Sequence, residues 1–186
     1  MSLVILVLMI GAIGLWLMTA YNGLVQMRNV VKNAWAQIDV QLKRRYDLIP
    51  NLVETVKGYM SYEQEVLENV TKARSQAIQM KDVTDPAQRA QVENALSGAL
   101  RQLYVVVENY PQLRANENVM RLHEELTSTE NKIAFARQFY NDSAMRMNNK
   151  VEMFPTNLIA GFFSFKQASL FEADEEEKVV PKVKLR

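Results

Sequence analysis

The chain has 186 residues, with 22 basic against 21 acidic side chains and a formal net charge of +1, so no overall field argues for nucleic acid. It has no cysteine and one histidine, His123, which excludes disulfides, thiolate metal sites and cysteine nucleophiles and removes most metal and proton-relay schemes. Its six glycines are scattered, so no glycine-rich phosphate loop can be written.

No charged side chain occurs from Met1 to Met27, and Leu3 to Met18 is almost wholly apolar, with Ala20 and Tyr21 extending it. As a helix, Leu3 to Ala20 is about 27 Å long, against a bilayer core of about 30 Å. A core helix this apolar on every side is unusual at the start of a soluble chain. A cleaved signal peptide would want a basic n-region and small residues at the cleavage site, and Ala20 has Met18 two places before it. The reading is a retained transmembrane anchor over 1–21 in contact with a lipid bilayer. Tyr21 lies where an interfacial aromatic would sit, and Arg28 and Lys32 follow. Gly11 and Gly14 are three apart, a weak signal for helix dimers. With cations only after the apolar stretch, the positive-inside rule puts the N-terminus outside and the rest in the cytoplasm, as a single-pass inner-membrane protein.

Beyond the anchor, residues 22–153 read as one helical domain. Apolar or small residues recur with 4-3 spacing at Val31, Trp35, Ile38 and Leu42, pass Arg45, and resume at Ile49, Leu52, Val56 and Tyr59. The pattern passes Glu63 and continues at Val66, Val70, Ala73, Ala77 and Met80. Such sustained spacing indicates a bundle or coiled coil. A stop near Tyr46 to Pro50 is the first expectation, because proline removes a backbone donor and restricts Ile49. Gly58, followed by a capping-box spacing from Ser61 to Gln64, is the second. A single kinked helix through both is the third.

Asp82 to Pro86 is the clearest connection, with Asp85 as N-cap and Pro86 in the first helical position. The next helix has its seam at Val92, Leu96, Ala99, Leu103, Val106 and Tyr110, and Pro111 ends or bends it. The last long helix is expected from about Leu113 to Met153, with its seam at Val119, Leu122, Leu126, Thr129, Ile133, Ala136, Tyr140, Ser143 and Met147. The fold class is therefore all-α: a transmembrane helix followed by an antiparallel up-and-down bundle, four helices favoured over a three-helix variant with one long kinked helix. Residues 154–186 form a third region, with the apolar run "LIAGFFSF", an acidic stretch of five carboxylates from Glu172 to Glu177, and "VVPKVKLR". The acidic stretch reads as solvated and mobile.

No catalytic constellation, cofactor site or metal set is evident. A di-metal carboxylate bundle needs two Glu-x-x-His pairs, and the residue three before His123 is Met120. Glu117, Glu124, Glu125 and Glu130 read as solvated faces and helix ion pairs. In "TENKIAFARQFYN", Glu130, Arg137 and Asn141 form a stripe beside the seam, and Arg45 and Asp47, with Asn51 nearby, form a second polar cluster. These five residues, Arg45, Asp47, Glu130, Arg137 and Asn141, are expected to form a structural polar network in which an arginine bonds a carboxylate across the bundle. Phe162, Phe163, Phe165 and Phe171 are the candidate partner-contact residues. They either fold back to cap the bundle or dock a partner or the membrane interface. A further option is that "VVPKVKLR" adds as an extended strand to another protein.

The blocks "RRYDLIPNLV", "TENKIAFARQFYND" and "FPTNLIAGFFSF" occur in an order and at separations that resemble the LemA family of bacterial membrane proteins, over nearly the whole chain. That resemblance implies a single-span anchor with a short outside N-terminus and a helical up-and-down bundle. It brings no reaction and no catalytic or ligand residues. The expected function is a membrane-anchored scaffold or adaptor, not an enzyme, that contacts unidentified membrane or cytoplasmic proteins. The alternative is a self-assembling homo-oligomer that tethers or shapes membrane.

Overall fold

The computed structural model describes residues 1–60 and 62–171. Ser61, the acidic stretch and the "VVPKVKLR" segment lie outside the described residues. The chain is all-α, with no strand among the described residues. Its helices are α1 (Ser2–Lys57), α2 (Gln64–Gln79), α3 (Pro86–Glu108), α4 (Pro111–Arg114), α5 (Glu117–Glu152) and α6 (Thr156–Phe162).

The expected stop at Pro50 does not occur. Helix α1 runs through Pro50 to Lys57 and breaks at Gly58, where the amides of Tyr59 and Met60 close on the Val56 carbonyl at 2.9 and 3.1 Å. Pro50 lacks the N–H that would reach the carbonyl four residues back, on Tyr46. The Arg74 side chain on α2 supplies the missing donor: its Nε–H donates to the Tyr46 carbonyl at 2.7 Å. The break at Gly58 leaves four long helices, so the three-helix variant with one kinked helix is also overturned. The capping box is not the start of α2 either. Glu63 holds the N-cap position, which makes Gln64 the first helical residue and not the third.

Other boundaries follow local chemistry. The Asp85 carboxylate accepts from the Ala87 N–H at 3.0 Å, with Pro86 in the first turn of α3. Helix α5 starts later than expected, after the short α4. The Asn116 side-chain oxygen accepts from the Asn118 and Val119 amides at 3.0 and 3.3 Å and caps it.

Two compact units share the long helices: 1–45 with 124–169, and 46–123 with residues 170 and 171 among those described. In the first unit, Ala34, Ile38, Leu42 and Arg45 of α1 are buried, as are Leu126, Thr129, Ile133, Tyr140, Ser143 and Met147 of α5. The two helices run antiparallel, since Arg45 meets Glu130 while Trp35 meets Tyr140 with ring centroids 5.3 Å apart. The buried hydroxyls of Thr129 and Ser143 bond the carbonyls four residues back, each at 2.7 Å, so small polar residues sit in the seam without orphaned groups. In the second unit, Ile49, Leu52 and Val56 of α1, Val70, Ala73 and Ala77 of α2, and Leu96, Leu100 and Leu103 of α3 are buried. Helix α3 turns Leu100 inward where Ala99 was expected, and Met60 is buried while Tyr59 is exposed.

Residues Leu3 to Met18 are exposed throughout. This is the one helix, among the described residues, long and apolar enough to cross a membrane, and none of its apolar window is buried. The Thr19 hydroxyl donates to the Trp16 carbonyl at 2.9 Å, so it carries no unsatisfied hydrogen into an apolar medium.

Candidate functional site

The first site is an arginine bridge between α1 and α5. Arg45 takes a seam position, which makes it 0% exposed, and its guanidinium donates to the Glu130 carboxylate at 2.7 Å. The Glu130 side chain keeps 45% of its surface in solvent. One turn further along, Arg44 faces Glu125 at 3.6 Å with both side chains half exposed. Of the five predicted network residues, Arg45 and Glu130 thus meet across the two helices. Arg137 and Asn141 lie half-buried on α5, while Asp47 is exposed on α1 in the second unit. Glu125 and Glu130 are turned to arginines, and among the described residues no group of three or more metal-ligating side chains gathers.

The second unit holds a polar cluster that the sequence reading missed. Arg89 and Glu93, one turn apart on α3, are 2% and 0% exposed with Nε and Oε1 3.7 Å apart. The Tyr46 hydroxyl donates to the Glu93 carboxylate. Arg89 also donates to the Lys81 carbonyl at 2.5 Å and to the Val83 carbonyl at 3.4 Å, which clamps the α2–α3 connection onto α3. A signal for it exists: stepping back from Leu96 by three and then four residues lands on Glu93 and Arg89.

The same unit places Tyr110 against Glu63, with the hydroxyl donating to the carboxylate. That bond, with burial adding to it, holds the phenol above its ordinary range. In the first unit burial raises Tyr140, whose hydroxyl donates to the Ser169 carbonyl at 2.9 Å. The Asn148 amide bonds both backbone groups of Ala168, at 2.9 and 2.8 Å. The chain after α6 is therefore strapped along α5.

The third site is aromatic. Helix α6 ends in a Schellman turn: the Phe165 amide donates to the Ala160 carbonyl at 2.9 Å and the Ser164 amide to the Gly161 carbonyl at 3.2 Å, with Ser164 at φ 54°. Ile159 and Ala160 pack on Leu24, joined by Ala20, Val151 and Phe165. Tyr21 stands 4.7 Å from the Phe163 ring and 5.9 Å from Phe165, and Phe162 stands 5.0 Å from Phe163. The Arg28 guanidinium lies over Phe165 at 5.3 Å. Of the four candidate phenylalanines, Phe162, Phe163 and Phe165 are brought together. Phe171 is buried, 7% exposed, and belongs to the second unit.

An open groove of ≈ 530 Å³ lies between α1 and α5 in the first unit, and Val40, Phe135 and Phe139 on its walls are exposed. Placing apolar side chains there, where 4-3 spacing does not call for them, leaves the face without a cover from its own unit.

Comparison with known proteins gives a consistent picture. The model of the LemA family matches residues 34–185. The chain is 28% identical over 159 residues to Protein LemA of Metamycoplasma hominis, covering 85% of this chain and 71% of that one. It is 23% identical over 193 residues to Magnetosome protein MamQ 2 of Paramagnetospirillum magneticum, covering 91% and 71%. To Magnetosome protein MamQ of Magnetospirillum gryphiswaldense it is 21% identical over 194 residues, covering 92% and 71%. None of these names is that of an enzyme.

Proposed function

This chain belongs to the LemA family, and on that premise we propose that it is a membrane-anchored helical scaffold or adaptor that acts by protein–protein contacts at the membrane face. The observation that carries the reading is the groove of the first unit, where Phe135 is 70% exposed beside Val40 and Phe139. Exposed apolar clusters of this kind are what protein contacts use. The reading includes orientation. Cations follow the apolar stretch at Arg28 and Lys32, which favours a cytoplasmic bundle and hence an outside N-terminus. Binding is its whole mechanism: it holds partners near the bilayer and raises their local concentration.

The test is a photo-crosslinking residue at Phe135 in the full chain in cells, with Lys43 as an exposed control. Adducts with other proteins at Phe135 and not at Lys43 support the adaptor. Adducts whose masses are multiples of this chain favour the self-assembling alternative, and a symmetric particle in detergent would agree with it. Equal yields at both positions overturn the groove as a contact surface. Protease or maleimide access to residues on either side of the anchor in spheroplasts checks the orientation.

A further inference from the structure

We propose that residues 153–163 make a second contact with the membrane, lying in the headgroup–acyl boundary of the same bilayer that α1 enters. This rests on reading α1 as a membrane anchor. The sequence from Met153 to Phe165 carries no charge. Its inward residues, Ile159 and Ala160, are consumed by packing on Leu24. Its remaining large side chains, Met153, Phe154, Leu158, Phe162 and Phe163, are exposed, and Phe162 is 81% so. Packing within the unit therefore explains only one face of the segment.

Position identifies the occupant. Helix α5 runs back toward the anchor as its numbers rise: Glu130 is opposite Arg45, Tyr140 is opposite Trp35, and a Cβ built on Gly23 would stand 3.1 Å from Lys150 Nζ. The segment after α5 therefore emerges beside Ala20, Tyr21 and Leu24, where the exposed apolar surface of α1 ends. The exposed face of α6 thus continues the apolar surface that meets lipid tails, at the depth where bilayers hold aromatic side chains. Arg28 covers the inner edge of the aromatic group, and cations at that depth meet lipid phosphates. A short amphipathic segment of this kind lies in the interface and does not span it. With two contacts on one bilayer, the first unit has a set tilt, where a lone anchor would leave it free to swing.

The absence of native cysteine makes the test clean. Leu158→Cys and Phe162→Cys are labelled with a nitroxide in the full chain, alongside Ile13→Cys in the anchor and Tyr62→Cys in the second unit. All four side chains are exposed, so the labels do not disturb packing. The chains are placed in vesicles of phosphatidylcholine and phosphatidylglycerol, and collision with oxygen is compared with collision with a water-soluble nickel chelate. The proposal expects the oxygen-to-nickel ratio at 158 and 162 to exceed that at 62 severalfold and to fall below that at 13. A ratio at 158 and 162 equal to that at 62, with 13 still in lipid, overturns the second contact and leaves the anchor standing. A water-like ratio at 13 overturns both. Spin–spin broadening at 158 or 162 that vanishes on dilution with unlabelled chain assigns the face to a second copy and also overturns the proposal.

Discussion

Among the described residues two arginines are buried, one in each compact unit, and they are neutralised differently. Arg45 reaches across to another helix, and its carboxylate partner keeps nearly half its surface in water. Arg89 pairs on its own helix with Glu93, which has no exposed surface, and spends its other donors on the carbonyls of the connection before α3. A carboxylate left half in water is partly solvated and screened, so its loss is partly made good by solvent. A carboxylate with no access to water, paired with an equally buried arginine, leaves behind a charge that solvent cannot reach when it is lost. The first arrangement sets the register of two long helices. The second ties a local turn to the helix that follows it.

The comparison is broken most directly at Glu93. Glu93→Ala should cost about 3–5 kcal/mol, because it leaves the Arg89 charge and the Tyr46 hydroxyl buried without their carboxylate. The measurement is denaturant unfolding of the full chain in detergent, followed by circular dichroism. Glu130→Gln should cost less, about 2 kcal/mol, since water reaches the position. If the two losses came out equal, exposure of the carboxylate would not be what separates the units.

Arg74→Ala should cost about 1–2 kcal/mol by stripping the Tyr46 carbonyl of its donor. A cycle with Pro50→Ala sharpens this, because alanine restores the backbone N–H. In that background the Arg74→Ala penalty should shrink by half or more; an unchanged penalty would mean Arg74 acts elsewhere. The smallest effect is Tyr140→Phe, about 1 kcal/mol from the lost bond to Ser169. It also has a pH signature. The folded phenol is raised, so the unfolded chain releases its proton first and binds fewer protons in that window. The contribution of Tyr140 is then complete below the ordinary phenol value of about 10 and declines as pH climbs through the raised one. As pH rises past about 10, unfolding midpoints should fall more steeply for the native chain than for Tyr140→Phe.

Much of this was legible beforehand. The charge-free run at the start, the 4-3 seam of α5 and the Asp85–Pro86 start of α3 are each written within a few consecutive residues, where propensity and periodicity act. The expected stop at Pro50 failed because the rule for proline counts a lost donor and cannot see Arg74, twenty-four residues away, replacing it. The Arg89–Glu93 pair escaped because the seam was traced through apolar residues alone. Phe162, Phe163 and Phe165 gathered at Tyr21, a partner far back in the chain that no local pattern announces.

By itself the order of residues determined which segments are helical, which faces of them are apolar, and that the first of them suits lipid. Those properties depend on repeats three to four residues long and on the absence of charge, and they are encoded locally. Tertiary structure decided which helix break was used, which carboxylate each buried arginine received, and which face of α6 was left outward beside the anchor. Each of those outcomes turns on a donor, a charge or an apolar surface being met by a partner distant in sequence, and only the folded chain brings such partners into reach.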